Sequence, residues 1–161
     1  VMDEHSLIPN TFETLRACEK LRKENFNVFP YITEDLSLSH ELVQMGCEVL
    51  MPWGSMIGSG QGLKNPDALT YLRSEFPRTK LIIDAGIGCP SHACRAMELG
   101  FDAVLINTAV ATALNPANMA KAFSLAIESG RVGKTAGLMS KQNFAQASSP
   151  QSDRPFWHHA S

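Results

Sequence analysis

"KLIIDAGIGCPSHA", Lys80 to Ala93, decides how the rest of the chain is read. A short apolar run ends on an acid, Asp84. Gly86, Gly88 and Pro90 follow, and Ser91 then opens a helical pattern. An apolar run this short and this continuous fits a strand buried on both faces, as parallel strands are. A soluble turn needs one or two turn residues, so a backbone this bare fits close approach to something anionic. The alternative is that the glycines only make a tight turn.

Three more runs share the design: "FNVFPYI" (26–32), "CEVLMPW" (47–53) and "DAVLINT" (102–108). Helical patterns alternate with them. Residues 11–25 carry Phe12, Leu15, Cys18 and Leu21 on one face. Residues 36–46 stop at Gly46, and residues 90–100 stop at Gly100. Residues 65–76 and 115–130 both open on Asn-Pro, a cap followed by proline at the first helical position, and the second is expected to stop at Gly130. Regular alternation predicts a parallel sheet wrapped by helices, with four strands. A doubly wound sheet fits it. So does roughly the second half of a (β/α)8 barrel, a fold of about 250 residues. Residues 151–161 lack periodicity and read as a flexible tail, leaving 1–150 as the folded part.

Bulk properties narrow the function. The chain has 161 residues, 44% hydrophobic and 19% charged, with a net charge of −2, which describes one ordinary globular unit. It has no basic stripe, so no nucleic acid is expected. No apolar stretch reaches the roughly 18 residues of a membrane span, and the N-terminus lacks the signal-peptide design. A soluble, intracellular protein with no membrane partner is expected. Cys18, Cys47, Cys89 and Cys94 read as free, mostly buried thiols.

The chemistry gathers at strand ends. "GSMIGSGQG" follows the second run with Gly54, Gly58, Gly60 and Gly62. "GIGCPS" follows the third, and "NTAVA" the fourth, where Asn107 and Thr108 have helix-cap chemistry. These loops lie at the C-terminal edge of any parallel α/β sheet, where ligands bind. Glycine amides and helix starts there suit phosphate. The glycine run is neither a dinucleotide fingerprint nor a P-loop, because it lacks G-x-G-x-x-G and Gly-Lys-Ser/Thr. Asp84 reads equally as a cap for neighbouring amides or as a partly desolvated general base. "CPSHAC" lacks usual zinc spacing, so no metal site is expected. Cys94 is expected to pack its helix on the sheet and His92 to lie exposed. No lysine ends a strand, and Lys80 starts one, so imine chemistry has no support in these residues.

The segments "NVFPYITEDLSLSHELVQMGCEVLMPWGSMIGSGQGLKNP", "LIIDAGIGCPSHACRAMELGFDAVLINTAVATALNPANMAKAFSLAIESGR" and "FAQASSP" together resemble bacterial and plastid thiazole synthase, the ThiG family, from about Leu7 to Pro150. The resemblance implies a (β/α)8 barrel, of which this chain is the C-terminal portion. It also implies formation of the thiazole phosphate of thiamine from 1-deoxy-D-xylulose 5-phosphate, dehydroglycine and sulfur carried as a thiocarboxylate on the protein ThiS. No cofactor is implied. Substrate contacts would fall on Gly58, Ala85, Gly86, Asn107 and Thr108, with Asp84 transferring protons. The family's imine-forming lysine would lie upstream of Val1 with the first barrel strands, so this chain alone is expected to lack that step. Trp53 stands where the family has a smaller residue and is expected to crowd the pocket. A homotetramer and a cytoplasmic or plastid location are implied too. The alternatives are another phosphate-binding α/β-barrel enzyme, or a non-catalytic fragment that keeps only binding surfaces.

Overall fold

Four helix starts are written in the sequence as side-chain caps. Asn10, Asp35, Asn65 and Asn115 turn their side chains onto the amides of Glu13, Leu38, Ala68 and Asn118, which satisfies donors the first turn leaves open. In the computed structural model, which describes residues 1–146, these caps open α1 (Thr11–Lys23), α2 (Leu36–Gln44), α3 (Pro66–Glu75) and α6 (Pro116–Ala136). The strands are β1 (Tyr31–Ile32), β2 (Val49–Pro52), β3 (Lys80–Ile83) and β4 (Ala103–Val104). Helix α4 (Pro90–Leu99) lies between β3 and β4, and the single turn α5 (Thr108–Ala111) follows β4.

The four strands are parallel and lie side by side in chain order, β1-β2-β3-β4. A doubly wound sheet reverses its strand order at a switch point. This one never does, so it is an arc of a (β/α)8 barrel, as expected. One face of the arc is sealed: Ile32, Leu50, Leu81 and Ile83 are fully buried with Leu42, Leu69 and Leu72. The alternate residues, Tyr31, Met51, Trp53, Ile82 and Asp84, share the opposite face and are only half-buried.

Several boundaries differ from the sequence reading. The strands are much shorter than the apolar runs, because Phe26 and Phe29 stand exposed before β1 and Leu105 after β4. Helix α6 does not stop at Gly130. It runs to Ala136, and Gly130 instead gives close approach to α4: a Cβ there would lie 2.4 Å from the Cys94 carbonyl oxygen. The Cys94 carbonyl thus faces α6, and its thiol lies 3.9 Å from Glu98 Oε1. Cys18 and Cys47 are buried, while Cys89 and Cys94 are half-buried. The tail expected at 151–161 lies outside the described residues, and among those described no helix is long and apolar enough to cross a membrane.

The N-terminal edge of the sheet is pinned by charge. Asp102 receives Arg73 Nη1 at 2.9 Å, Lys80 Nζ at 3.0 Å and the Leu81 amide at 2.9 Å. Lys80 thus lies at the edge away from the glycine loops.

Candidate functional site

At the C-terminal edge, the β2–α3 loop (53–65) and the β3–α4 loop (84–89) are stitched main chain to main chain. Gly54 donates to the Asp84 carbonyl at 3.2 Å, and Gly62 to the Gly86 carbonyl at 2.8 Å. The contact is too close for side chains. A Cβ on Gly86 would meet Ser55 Oγ at 1.9 Å, and one on Gly88 would meet the Gly60 carbonyl at 2.5 Å. Those two glycines are bare because the neighbouring loop lies on them. Gly58 differs: its φ is +72° and an added Cβ would meet nothing within 4 Å. It opens its backbone to a cleft.

That cleft holds about 280 Å³ and brings together Gly58, Asp84, Ala85, Gly86, Asn107 and Thr108, all six residues singled out from the sequence. Its apolar walls are Ile57, Ile87 and Leu105, which the sequence reading missed, as it missed Thr112 one helical turn beyond Thr108. The amides of Gly58, Gly86 and Ile87 donate to no acceptor among the described residues. Asn107 takes the cap position of α5, yet its side chain makes no capping bond. Ala85 has φ +71°, a left-handed conformation that costs a residue with a Cβ about 1–2 kcal/mol.

Asp84 is half-buried, and burial raises its carboxyl above the usual range, opposed by the amide of Ala85. Tyr31, on the same sheet face, is pushed up to about 12, by burial first and by the Asp84 charge second. Its hydroxyl is buried with no hydrogen-bond partner. A carboxyl whose proton affinity is raised by burial, standing beside unbonded amides, can move a proton while an anion is held next to it.

His92 is not exposed. It is half-buried, accepts the Gly88 amide at Nδ1 (3.2 Å) and lies against Gly62, so it braces the two loops. Among the described residues, no three His, Cys, Asp or Glu side chains gather as metal ligands do. Trp53 does not line the cleft. Its Nε1 donates to Glu34, which pulls the indole edge aside.

The family model for the thiazole biosynthesis protein ThiG matches residues 1–150. The chain belongs to the ThiG family. Its curated ThiG-family relatives include a thiazole synthase of Rhodopseudomonas palustris (strain BisA53), 53% identical over 158 residues, which are 98% of this chain and 61% of that protein. A thiazole synthase of Coxiella burnetii (strain Dugway 5J108-111) is 54% identical over 154 residues, 96% of this chain and 60% of that one. The chain thus spans about three-fifths of the length of these ThiG relatives. Among solved structures, a chain of the Amycolatopsis orientalis BexX/CysO complex superposes with a TM-score of 0.83 at 33% identity, covering 86% of this chain and 56% of that one.

Proposed function

We propose that this chain carries the phosphate-holding and proton-transferring part of a thiazole synthase. The observation that supports it most is one cleft in which the half-buried carboxyl of Asp84 stands beside the unbonded amides of Gly58, Gly86 and Ile87. The substrate is 1-deoxy-D-xylulose 5-phosphate. Its phosphate lies on the glycine amides, and the side chains of Asn107 and Thr108 meet its hydroxyls. Asp84, with its proton affinity raised by burial, takes up and returns protons at the carbons next to the reacting carbonyl. Asp84 acts as the proton carrier and not as a nucleophile.

None of the chain's seven lysines lines the cleft. The imine-forming lysine is therefore assigned to residues outside these 161, in keeping with the greater length of the relatives. Sulfur comes from a small carrier protein of the ThiS type. That a solved relative was captured with a second protein, CysO, supports such a partner. Association of copies is part of the same reading, supported by exposed apolar side chains such as Phe12 (77%) and Met139 (89%).

The test is calorimetric binding of 1-deoxy-D-xylulose 5-phosphate, followed by intact mass after borohydride treatment. Binding that weakens in Asp84→Asn, with no adduct on the 17.6 kDa chain, is expected. An adduct would overturn the assignment of the lysine. Equal binding of unrelated sugar phosphates would favour a different phosphate-binding barrel enzyme.

A further inference from the structure

Trp53 and Asp84 face each other across the sheet. Their backbones form a parallel bridge, so both side chains leave the same face side by side. The Trp53 amide is fixed to the Ile32 carbonyl at 2.9 Å, and the Asp84 amide to the Pro52 carbonyl at 3.0 Å. The indole is not left to choose its rotamer. Its Nε1 donates to one oxygen of Glu34, whose other oxygen accepts Asn65 Nδ2 at 3.1 Å. Asn65 is itself fixed, because its Oδ1 caps α3 at the Ala68 amide. A rigid chain therefore runs from the cap of α3 through Asn65 and Glu34 to the indole beside Asp84.

We propose that Glu34 and Trp53 are positioning residues for Asp84: Glu34 anchors the indole edge, and the anchored indole is a wall that keeps water off one side of the carboxyl. An indole left free would swing with χ1 and χ2 and admit solvent. Anchored, it supplies the large, rigid apolar surface that desolvates a neighbouring acid. That explains why a polar loop residue, Glu34, is committed to a tryptophan on the strand next to Asp84. It explains as well how an aromatic residue fits at this strand end without filling the cleft. The titratable group that senses the Asp84 charge is Tyr31 on β1, and His92 on α4 is bonded to Gly88. Among the described residues neither is hydrogen-bonded to Glu34.

The inference rests on reading Asp84 as the proton carrier, but its test needs no ligand, so the two fail separately. The Asp84 Cγ resonance of the full 161-residue chain is titrated by carbon-13 NMR, and Trp53 emission is read in a Trp157→Phe background. Glu34→Ala should lower the Asp84 midpoint towards the ordinary carboxylate range and move Trp53 emission to longer wavelength. Glu34→Gln keeps one acceptor for the indole but sets an amide donor against Asn65 Nδ2, so its shifts should lie between wild type and Glu34→Ala. Trp53→Leu should lower the midpoint by itself, and adding Glu34→Ala to it should change nothing more. An Asp84 midpoint that stays put in Glu34→Ala and Trp53→Leu overturns the proposal. So does a further midpoint shift when Glu34→Ala is added to Trp53→Leu, because the effect would then be charge and not positioning.

Discussion

Two glycines three residues apart on α6 should respond to alanine with opposite signs. By helix propensity alone, either change to alanine stabilises by about 1 kcal/mol, since glycine pays more backbone entropy. At Gly133 nothing opposes that gain: an added Cβ would touch only Leu138 Cδ2, at 3.6 Å. At Gly130 the new methyl would lie 2.4 Å from the Cys94 carbonyl oxygen and 2.8 Å from Met97 Cβ, both on α4. A carbonyl inside a helix cannot rotate away, so α4 and α6 would have to part along their contact. Overpacking of this kind costs about 1–3 kcal/mol, and separating two well-packed helices puts the loss at the upper end. The net expectation for Gly130→Ala is a loss of about 2 kcal/mol, and for Gly133→Ala a gain of about 0.5–1 kcal/mol. In a chain of this size that is a Tm lower by about 4–8 °C against one higher by a few degrees. Urea and thermal unfolding followed by far-UV circular dichroism separate the two cases. If Gly130→Ala stabilises as Gly133→Ala does, the α4–α6 contact is not as close as described, and the reason given for α6 running past Gly130 fails with it.

Asp84→Asn should be no more stable than wild type below the ordinary value of 3.8 but more stable at neutral pH, because a carboxyl raised by burial favours folding while protonated and loses that contribution as pH rises through its folded value; paired urea curves at acidic and neutral pH check it. At Asp102 the sign is reversed: burial pulls it up, but the Leu81 amide, Lys80 and Arg73 outweigh burial and lower it. Its contribution is present above 3.8 and is lost as pH falls through the lowered value. Asp102→Asn should cost about 1–3 kcal/mol at pH 7, mostly through Arg73, whose side chain is 14% exposed, since Lys80 at 68% is well screened. The read-out is the urea midpoint across the acid range. Gly86→Ala should lower Tm and abolish sugar-phosphate binding in calorimetry, and Ser55→Ala should restore little of either, because the Ser55 amide nitrogen would still lie 2.7 Å from the new Cβ. Full recovery in the double variant would mean that only the serine hydroxyl stood in the way.

What could be read from the residues was whatever short-range chemistry fixes. The Asn and Asp caps, the prolines at helix starts and the left-handed Gly46 and Gly100 set element ends within a few residues. The rhythm of apolar runs and helices then implied a parallel sheet, and its strand ends held every candidate residue of the cleft. What could not be read depends on contacts between distant segments. Gly130 looks like a helix stop until α4 is seen against it. Gly86 and Gly88 look like an anion cradle, yet they are bare chiefly for the sake of the facing loop. Trp53 looks like an obstruction because nothing local shows that Glu34, 19 residues earlier, will hold it aside. The walls Ile57, Ile87 and Leu105 are ordinary apolar residues whose shared cleft exists only after folding.

The stitching of the two glycine loops by their main chains divides the site into parts with different freedom to vary. The surface offered to a ligand by Gly58, Gly86 and Ile87 is peptide, common to every residue type, so exchanging a side chain cannot retune it and adding one can only obstruct it. Ile57 and Leu105 reach the same cleft through exposed side chains, whereas Ile87 is packed into the core. A lineage of such proteins can therefore drift in the shape of its pocket walls while the peptide cradle stays fixed, and a saturation library should map that boundary as intolerant glycines set among permissive aliphatic positions.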